Sequence, residues 1–275
     1  MRKHAFALLL TCLACVSCVA PASRAPRPER ALFVGNSLTY VGNVPAVFSA
    51  LAEVNGVPMA SDMIVKGGAT LSERVVDGSV ARALAERRYD WLVIQERGGD
   101  LMCSFGPESC VQSRQAIGEL VRLATASNVK VILLGSYQAH PDASRRLVGM
   151  ESAAAAEAGI PYVEISETLR HLRATAPDLA WFASDGMHPG PDLVLLDGIR
   201  LHQALRGRLP TPAPLTVKAP IYGVSSGLDA SLRASHAPPP RSDTMLEAHY
   251  SASSMRRICE AIASAPVNDE DSLVR

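Results

Sequence analysis

The sequence predicts an α/β domain whose parallel sheet is covered by helices on both faces, and three observations predict it. Short apolar runs alternate with longer amphipathic ones, and Gly and Pro stand at the joints between them. The composition, 48% hydrophobic with 5% aromatic residues and Ala and Leu throughout, suits a helix-rich globule. Five runs read as strands: Ala31 to Val34, Met59 to Val65, Trp91 to Ile94, Val129 to Leu134 and Tyr162 to Ile165. Helical periodicity falls at 44–56, 71–88, 108–127, 142–159, 166–175 and 191–206. Gly56-Val57-Pro58, Gly135 and Gly159-Ile160-Pro161 sit where the chain must turn. Strands that alternate with helices in this way run parallel, joined by crossover helices that cover the sheet.

The 275 residues are enough for a sizeable core in one or two domains. Lys plus Arg equals Asp plus Glu at 27 each, so no net positive field recruits nucleic acid or an anionic membrane surface. A small-molecule or carbohydrate-type partner fits better. The N-terminus reads as an export signal over 1–22: Met1 to His4 is basic, Ala5 to Ala20 is almost entirely apolar, and Ala20-Pro21-Ala22 is a small-residue run. At about 16 residues the apolar stretch falls short of the roughly 20 that a transmembrane helix needs. Cys12, Cys15 and Cys18 lie inside it. Ala14-Cys15 and Ser17-Cys18 each fit a lipoprotein signal in part, whereas Cys12 has Leu9 three places before it but Thr11 directly before it. Cleavage after Ala22 and a lipid anchor both stay open, and the expected location is periplasmic, secreted or membrane-anchored.

Residues 23–29 have the composition of a tether, and the folded domain is expected over 30–208. From 209 to 265 the chain is Pro-rich. A short edge strand is expected from Val217 to Val224 and a weak helix over 242–265, and 266–275 has the composition of a disordered tail. A packing appendage is the expected role of this extension. Cys103 and Cys110, separated by six residues that include Ser104-Phe105-Gly106-Pro107, suit a loop-closing disulfide in an oxidising compartment. It would contribute on the order of 2.5 kcal/mol by chain entropy, enough to shape a loop. Cys259 is left as an inert thiol or an intermolecular bridge, and no Cys/His spacing resembles a zinc site.

Two stretches carry chemistry. Phe33-Val34-Gly35-Asn36-Ser37-Leu38-Thr39 runs from a buried strand into Gly-Asn-Ser and on toward a helix. Ligands of open parallel sheets bind beyond the carboxyl ends of the strands, so Ser37 stands where a substrate would lie. Its backbone N–H near a helix start could donate to a developing oxyanion, although a Ser in that place equally serves as a helix N-cap. The second stretch is Ser184-Asp185-Gly186-Met187-His188-Pro189, between the fifth strand and the last helix. A carboxylate three residues before a His can accept its Nδ1–H and leave Nε2 to take a proton from a nucleophile. Pro189 biases His188 toward an extended backbone and holds the loop out of the helix. Together the stretches supply nucleophile, orienter and base in the order Ser, Asp, His.

Gly-Asn-Ser-Leu-Thr at 35–39 resembles the Gly-Asp-Ser-Leu nucleophile block of the SGNH (GDSL-like) hydrolases, and Asp185-x-x-His188 resembles their closing block. Lys66-Gly67-Gly68-Ala69 resembles the glycine block, whose N–H lines the oxyanion hole. The resemblance covers about residues 30 to 206. It implies a flavodoxin-like three-layer α/β/α fold with a five-stranded parallel sheet of order 2-1-3-4-5. It also implies a serine ester hydrolase with Ser37 as nucleophile, His188 as base and Asp185 as orienter. The oxyanion donors would be Ser37, Gly68 and Gln95. Two positions depart from the pattern: Asn36 replaces an Asp, and Val93-Ile94-Gln95-Glu96-Arg97-Gly98-Gly99-Asp100 lacks the family's Gly-x-Asn-Asp. Gln95 is taken as the amide that stands in for the missing Asn.

The expected chemistry is acyl transfer to water on a small or carbohydrate-linked ester, with no metal or organic cofactor. Rivals are an acyltransferase, or a non-catalytic binding lipoprotein on the same fold. Glu96, Arg97 and Asp100 are read as specificity contacts or a solvated loop, and His140 as a residue near the same sheet edge.

Overall fold

The computed structural model describes residues 27–264, so the export signal expected at 1–22 and the tail at 266–275 lie outside the described residues. In chain order the elements are β1 (Glu29–Gly35), α1 (Ser37–Tyr40), α2 (Val44–Val54), β2 (Met59–Val65), α3 (Leu71–Val76), α4 (Ser79–Glu86), β3 (Trp91–Ile94), α5 (Pro107–Ala126) and β4 (Lys130–Leu134). There follow α6 (Pro141–Ala158), β5 (Tyr162–Val163), α7 (Ser166–Thr175), α8 (Pro191–Arg206), β6 (Leu215–Val217), β7 (Arg233–Ala234), β8 (Ala248–Tyr250) and α9 (Ala252–Ser264).

The five parallel strands stand in the order β2-β1-β3-β4-β5, and β7 adds a sixth, antiparallel, on the outer edge of β2. Phe33 of β1 sits level with Met63 of β2 and Val93 of β3, so β1 is the centre of the sheet. Successive residues of a strand point to opposite faces. Ala31 and Phe33 accordingly join a core with α2, α7, α8 and α9, while Leu32 and Val34 join a second core with α3, α4, α5 and α6. Strands buried on both sides read as unbroken apolar runs, which is why they were visible in the sequence. The parallel direction brings the carboxyl ends Gly35, Val65, Ile94, Leu134 and Val163 to one edge.

Four boundaries differ from expectation. The helix expected over 71–88 is two helices, because Gly78 takes the left-handed conformation (φ +66°) and Asp77 accepts the N–H of Ser79 through its side chain. The strand expected over 162–165 ends at Val163, since the Glu164 carboxylate turns to accept the N–H groups of Glu167 and Thr168 and so starts α7. The edge strand expected at Val217–Val224 is displaced. Leu215–Val217 instead pairs with Ala248–Tyr250 in a separate two-stranded sheet, and Arg233–Ala234 takes the edge of β2. The helix expected over 242–265 forms only over Ala252–Ser264, as α9, because Ala248–Tyr250 before it is taken into the pairing with Leu215–Val217.

Cys103 and Cys110 are bonded and close the loop after β3. Cys259 is buried, and burial pushes its thiol up to about 11, so it is an unreactive core residue.

Candidate active site

The turn that carries Ser37 is set by its neighbours. A side chain at Gly35 would put its Cβ 2.1 Å from Thr39 Oγ1, so only glycine lets α1 fold back against the end of β1. Asn36 caps α1: its Oδ1 accepts from the Leu38 N–H at 3.0 Å and its Nδ2 donates to the Gln95 carbonyl at 3.3 Å. An ionised Asp could make the first bond but not the second. The departure at Asn36 is thus matched to a local need, a donor that ties the Ser37 turn to the end of β3. Ser37 is the first residue of α1 and is half-buried.

The glycine turn follows β2. The Ala69 N–H donates to the Lys66 carbonyl, and Gly68 at the third position has φ +69°, the pattern of a type II turn that requires glycine there. The Gly68 carbonyl accepts from Arg97 Nη1 at 3.2 Å. Among the described residues no backbone acceptor takes the N–H of Ser37 or of Gly68. Both donors stand open at the sheet edge.

Gln95 requires a correction. Its Oε1 accepts from Thr39 Oγ1 at 2.7 Å, its Nε2 donates to the Gly135 carbonyl at 3.0 Å, and the residue is 1% exposed. The carboxamide is engaged on both sides and shut from solvent. It therefore braces β1, β3 and β4 beneath the Ser37 turn rather than offering a free donor above it. In the loop that follows, Glu96 and Asp100 are buried and Arg97 is partly exposed. The buried Glu96 accepts from the N–H groups of Leu71 and Arg97 and from Ser113 Oγ. Burial, with the charge of Asp100 beside it, pushes its carboxyl up to about 7. Arg97 grips Asp100 with two nitrogens at 2.7 and 2.6 Å and lies 4.3 Å over the Phe105 ring inside the disulfide-closed loop.

The other half of the site is the loop before α8. Asp185 Oδ1 accepts the N–H groups of Met187 (2.9 Å) and His188 (3.0 Å), and its Oδ2 lies 2.7 Å from His188 Nδ1. These bonds pull the Asp185 carboxyl down to about 2, so it is ionised across the neutral range and fixes Nδ1 as the protonated ring nitrogen. The His188 side chain is 12% exposed. Gly190 sits so close to the backbone of Ala180 and Phe182 that a Cβ there would meet Ala180 O at 2.3 Å, which pins the loop's far end.

Two contacts carry this loop to the Ser37 edge. Tyr137, just past β4, donates its hydroxyl to the Met187 carbonyl at 2.9 Å. Gly42, in the turn after α1, lies so near α8 that a Cβ on it would come 2.5 Å from Val194 Cγ2. Ser37, Gly68 and the Asp185–His188 pair thus occupy one end of the sheet, whereas Gln95 lies below it. Neither Ser37 Oγ nor His188 Nε2 makes a hydrogen bond among the described residues, and bonds of this kind often tighten only with substrate in place. His140 is exposed and caps α6, its Nδ1 accepting from the Asp142 N–H. Tyr137 and Thr39 were not singled out from sequence. A Tyr in Gly135-Ser136-Tyr137 after a fourth strand gives only its place at the edge, not its partner.

No family model and no curated protein sequence matches the chain. Solved structures do. A protein of Slackia heliotrinireducens classed as an SGNH hydrolase superposes with a TM-score of 0.53 at 25% identity, over 64% of this chain and 98% of its own. An acetylxylan esterase from Geobacillus stearothermophilus gives 0.51 at 16% identity, over 64% and 93%. A DUF4886-family protein from Bacteroides uniformis gives 0.56 at 15% identity over 86% of this chain and 95% of its own. Residues 30–208 are about two-thirds of the chain, so that last superposition reaches beyond them.

Proposed function

We propose, on the premise that this chain is an SGNH-like hydrolase of the carboxylic ester class, that it is a serine esterase in which Ser37, His188 and Asp185 act together. The observation that carries the reading is the Asp185–His188 pair, bonded at 2.7 Å, at the same sheet edge as Ser37 and the open N–H groups of Ser37 and Gly68. A carboxylate held ionised by three donors is what an imidazole needs beside it when it becomes charged.

In the proposed cycle Ser37 Oγ attacks the ester carbonyl carbon while His188 Nε2 takes the hydroxyl proton. The carbonyl oxygen becomes an oxyanion and accepts from the N–H groups of Ser37 and Gly68. One such donor is typically worth about 2.7–4 kcal/mol of barrier. Collapse breaks the ester C–O bond, and the departing alcohol takes the proton from His188. Water then repeats the sequence on the acyl-enzyme, giving up its proton to His188, and releases the acid as Ser37 regains its hydrogen. Asp185 stays a carboxylate throughout.

The substrate class is a small or carbohydrate-linked ester, and the enzyme works outside the cytoplasm. The basic-then-apolar start of the chain supports export, as does the Cys103–Cys110 bond, which suits an oxidising compartment. Purified Ser37→Ala is expected to lose hydrolysis of p-nitrophenyl acetate to within background, and an unchanged rate would end the proposal.

A further inference from the structure

The C-terminal extension is stitched to the two turns that flank Ser37. Tyr40, the last residue of α1, donates its hydroxyl to the Val224 carbonyl at 3.0 Å. The Gly42 N–H donates to the Tyr222 carbonyl at 2.8 Å, and Val41 and Tyr222 lie side by side as a parallel bridge. Asn43, fully buried and left-handed at φ +63°, donates its Nδ2 to both the Pro220 and Ser235 carbonyls at 2.8 Å. On the glycine side Lys66 bridges Asp229, and the Ala230 N–H donates to the Val65 carbonyl. A Cβ on Gly67 would stand 3.1 Å from the Tyr40 hydroxyl. The segment from Gly223 to Leu228 therefore runs directly alongside the glycine turn and the end of α1. Within it Val224 is 46% exposed, an apolar side chain left open on a residue whose carbonyl is held by the Tyr40 hydroxyl, the same hydroxyl that lies against Gly67. An appendage that only buried surface would need no such attachment to the residues that follow the nucleophile.

We propose that the Gly223–Leu228 loop is the acyl-side wall of the Ser37 site and that Val224 meets the acyl chain. The inference rests on the esterase reading and adds to it a specificity-determining residue from outside the three-layer core. Its direction comes from chemistry and topology together. The alcohol of the ester must leave beside His188, which protonates it. Met187, next to His188, is bonded to Tyr137 beyond β4, and so approaches Ser37 from the β3 side of β1. The Gly223–Leu228 loop is bound to Tyr40 through Val224 and runs straight into Asp229 and Ala230, which are bound to Lys66 and Val65, so it approaches from the β2 side. Since β1 lies between β2 and β3, the loop and His188 flank the nucleophile from opposite sides, and the acyl group points away from the leaving alcohol. An open valine there fits a short apolar acyl chain. A pocket that gains or loses about one methylene of fit discriminates by roughly 10–200-fold.

The test compares kcat/KM for p-nitrophenyl butyrate and p-nitrophenyl acetate in the wild type, Val224→Trp and Val224→Asp, using the mature chain. Labelling of Ser37 by a small fluorophosphonate is measured alongside. The butyrate-to-acetate ratio is expected to fall at least 10-fold in Val224→Trp, by filling, and in Val224→Asp, by placing a charge against the chain. A labelled Ser37 with an unchanged ratio in both variants overturns this inference alone. A wild type whose Ser37 takes no label brings down the esterase reading, and the inference with it.

Discussion

Replacing Gln95 by Leu separates two roles that the sequence could not. As a brace, Gln95 satisfies Thr39 Oγ1 (2.7 Å) and the Gly135 carbonyl (3.0 Å) at a position 1% exposed. Leucine fills similar volume but leaves both groups unpaired where water has little access. Thr39 has few alternatives, because its hydroxyl is hemmed in by Gly35. At about 1–3 kcal/mol for each of the two buried groups left unsatisfied, the loss is roughly 2–6 kcal/mol. For a domain of this size that lowers Tm by about 4–24 °C. As an oxyanion donor, by contrast, Gln95 would contribute to rate and not to stability, and its removal would cut kcat by about 100–1,000-fold. Thermal unfolding by circular dichroism, paired with kcat for p-nitrophenyl acetate at 20 °C, reads both. The brace predicts a large Tm loss with kcat lowered less than about 10-fold. A Tm within 2 °C of wild type with kcat down 100-fold or more would refute the reasoning and return Gln95 to the oxyanion hole.

Two further outcomes follow from the same contacts. Tyr137→Phe removes the hydroxyl that holds the Met187 carbonyl, so kcat/KM should fall about 2–10-fold with little change in Tm, and equal rates would show that the tie does not position His188. Glu96→Gln should stabilise the protein more as pH rises. The folded carboxyl titrates at about 7, above its unfolded value near 4.5, so its burial costs nothing below about pH 4.5 and up to about 3 kcal/mol above pH 7. The Tm difference between variant and wild type should widen by up to about 10 °C from pH 4.5 to 8, and a constant difference would contradict the buried-acid account.

What the sequence made legible follows from which interactions are local. The five parallel strands were readable because a strand buried on both faces is mostly apolar, as in Phe33-Val34 and Leu92-Val93-Ile94, even where β2 carries the buried Ser61 and Asp62. Asp185 and His188 were readable because they bond to each other within four residues. Gln95 was not, since its partners Thr39 and Gly135 lie about 40 to 56 positions away and an amide reads the same in a brace as in a hole. The break at Gly78 was hidden because the apolar period continues through Val80 and Ala83 on the far side of the turn. Most hidden was the extension. Its β7 is two residues long, and its attachments are backbone carbonyls of Pro220, Tyr222 and Val224, which carry no signal in side-chain pattern. The Cys103–Cys110 bond, by contrast, followed from spacing and a flexible loop.

The claim that everything else depends on is that the Ser37 oxygen is made nucleophilic by His188. Mass-spectrometric mapping of the fluorophosphonate adduct on wild type and His188→Ala tests it most directly. The account predicts one adduct, on the peptide containing Ser37, with a labelling rate at least 100-fold slower in His188→Ala although that variant stays folded. An adduct on another serine, or a labelling rate at Ser37 indifferent to the loss of the imidazole, would contradict it.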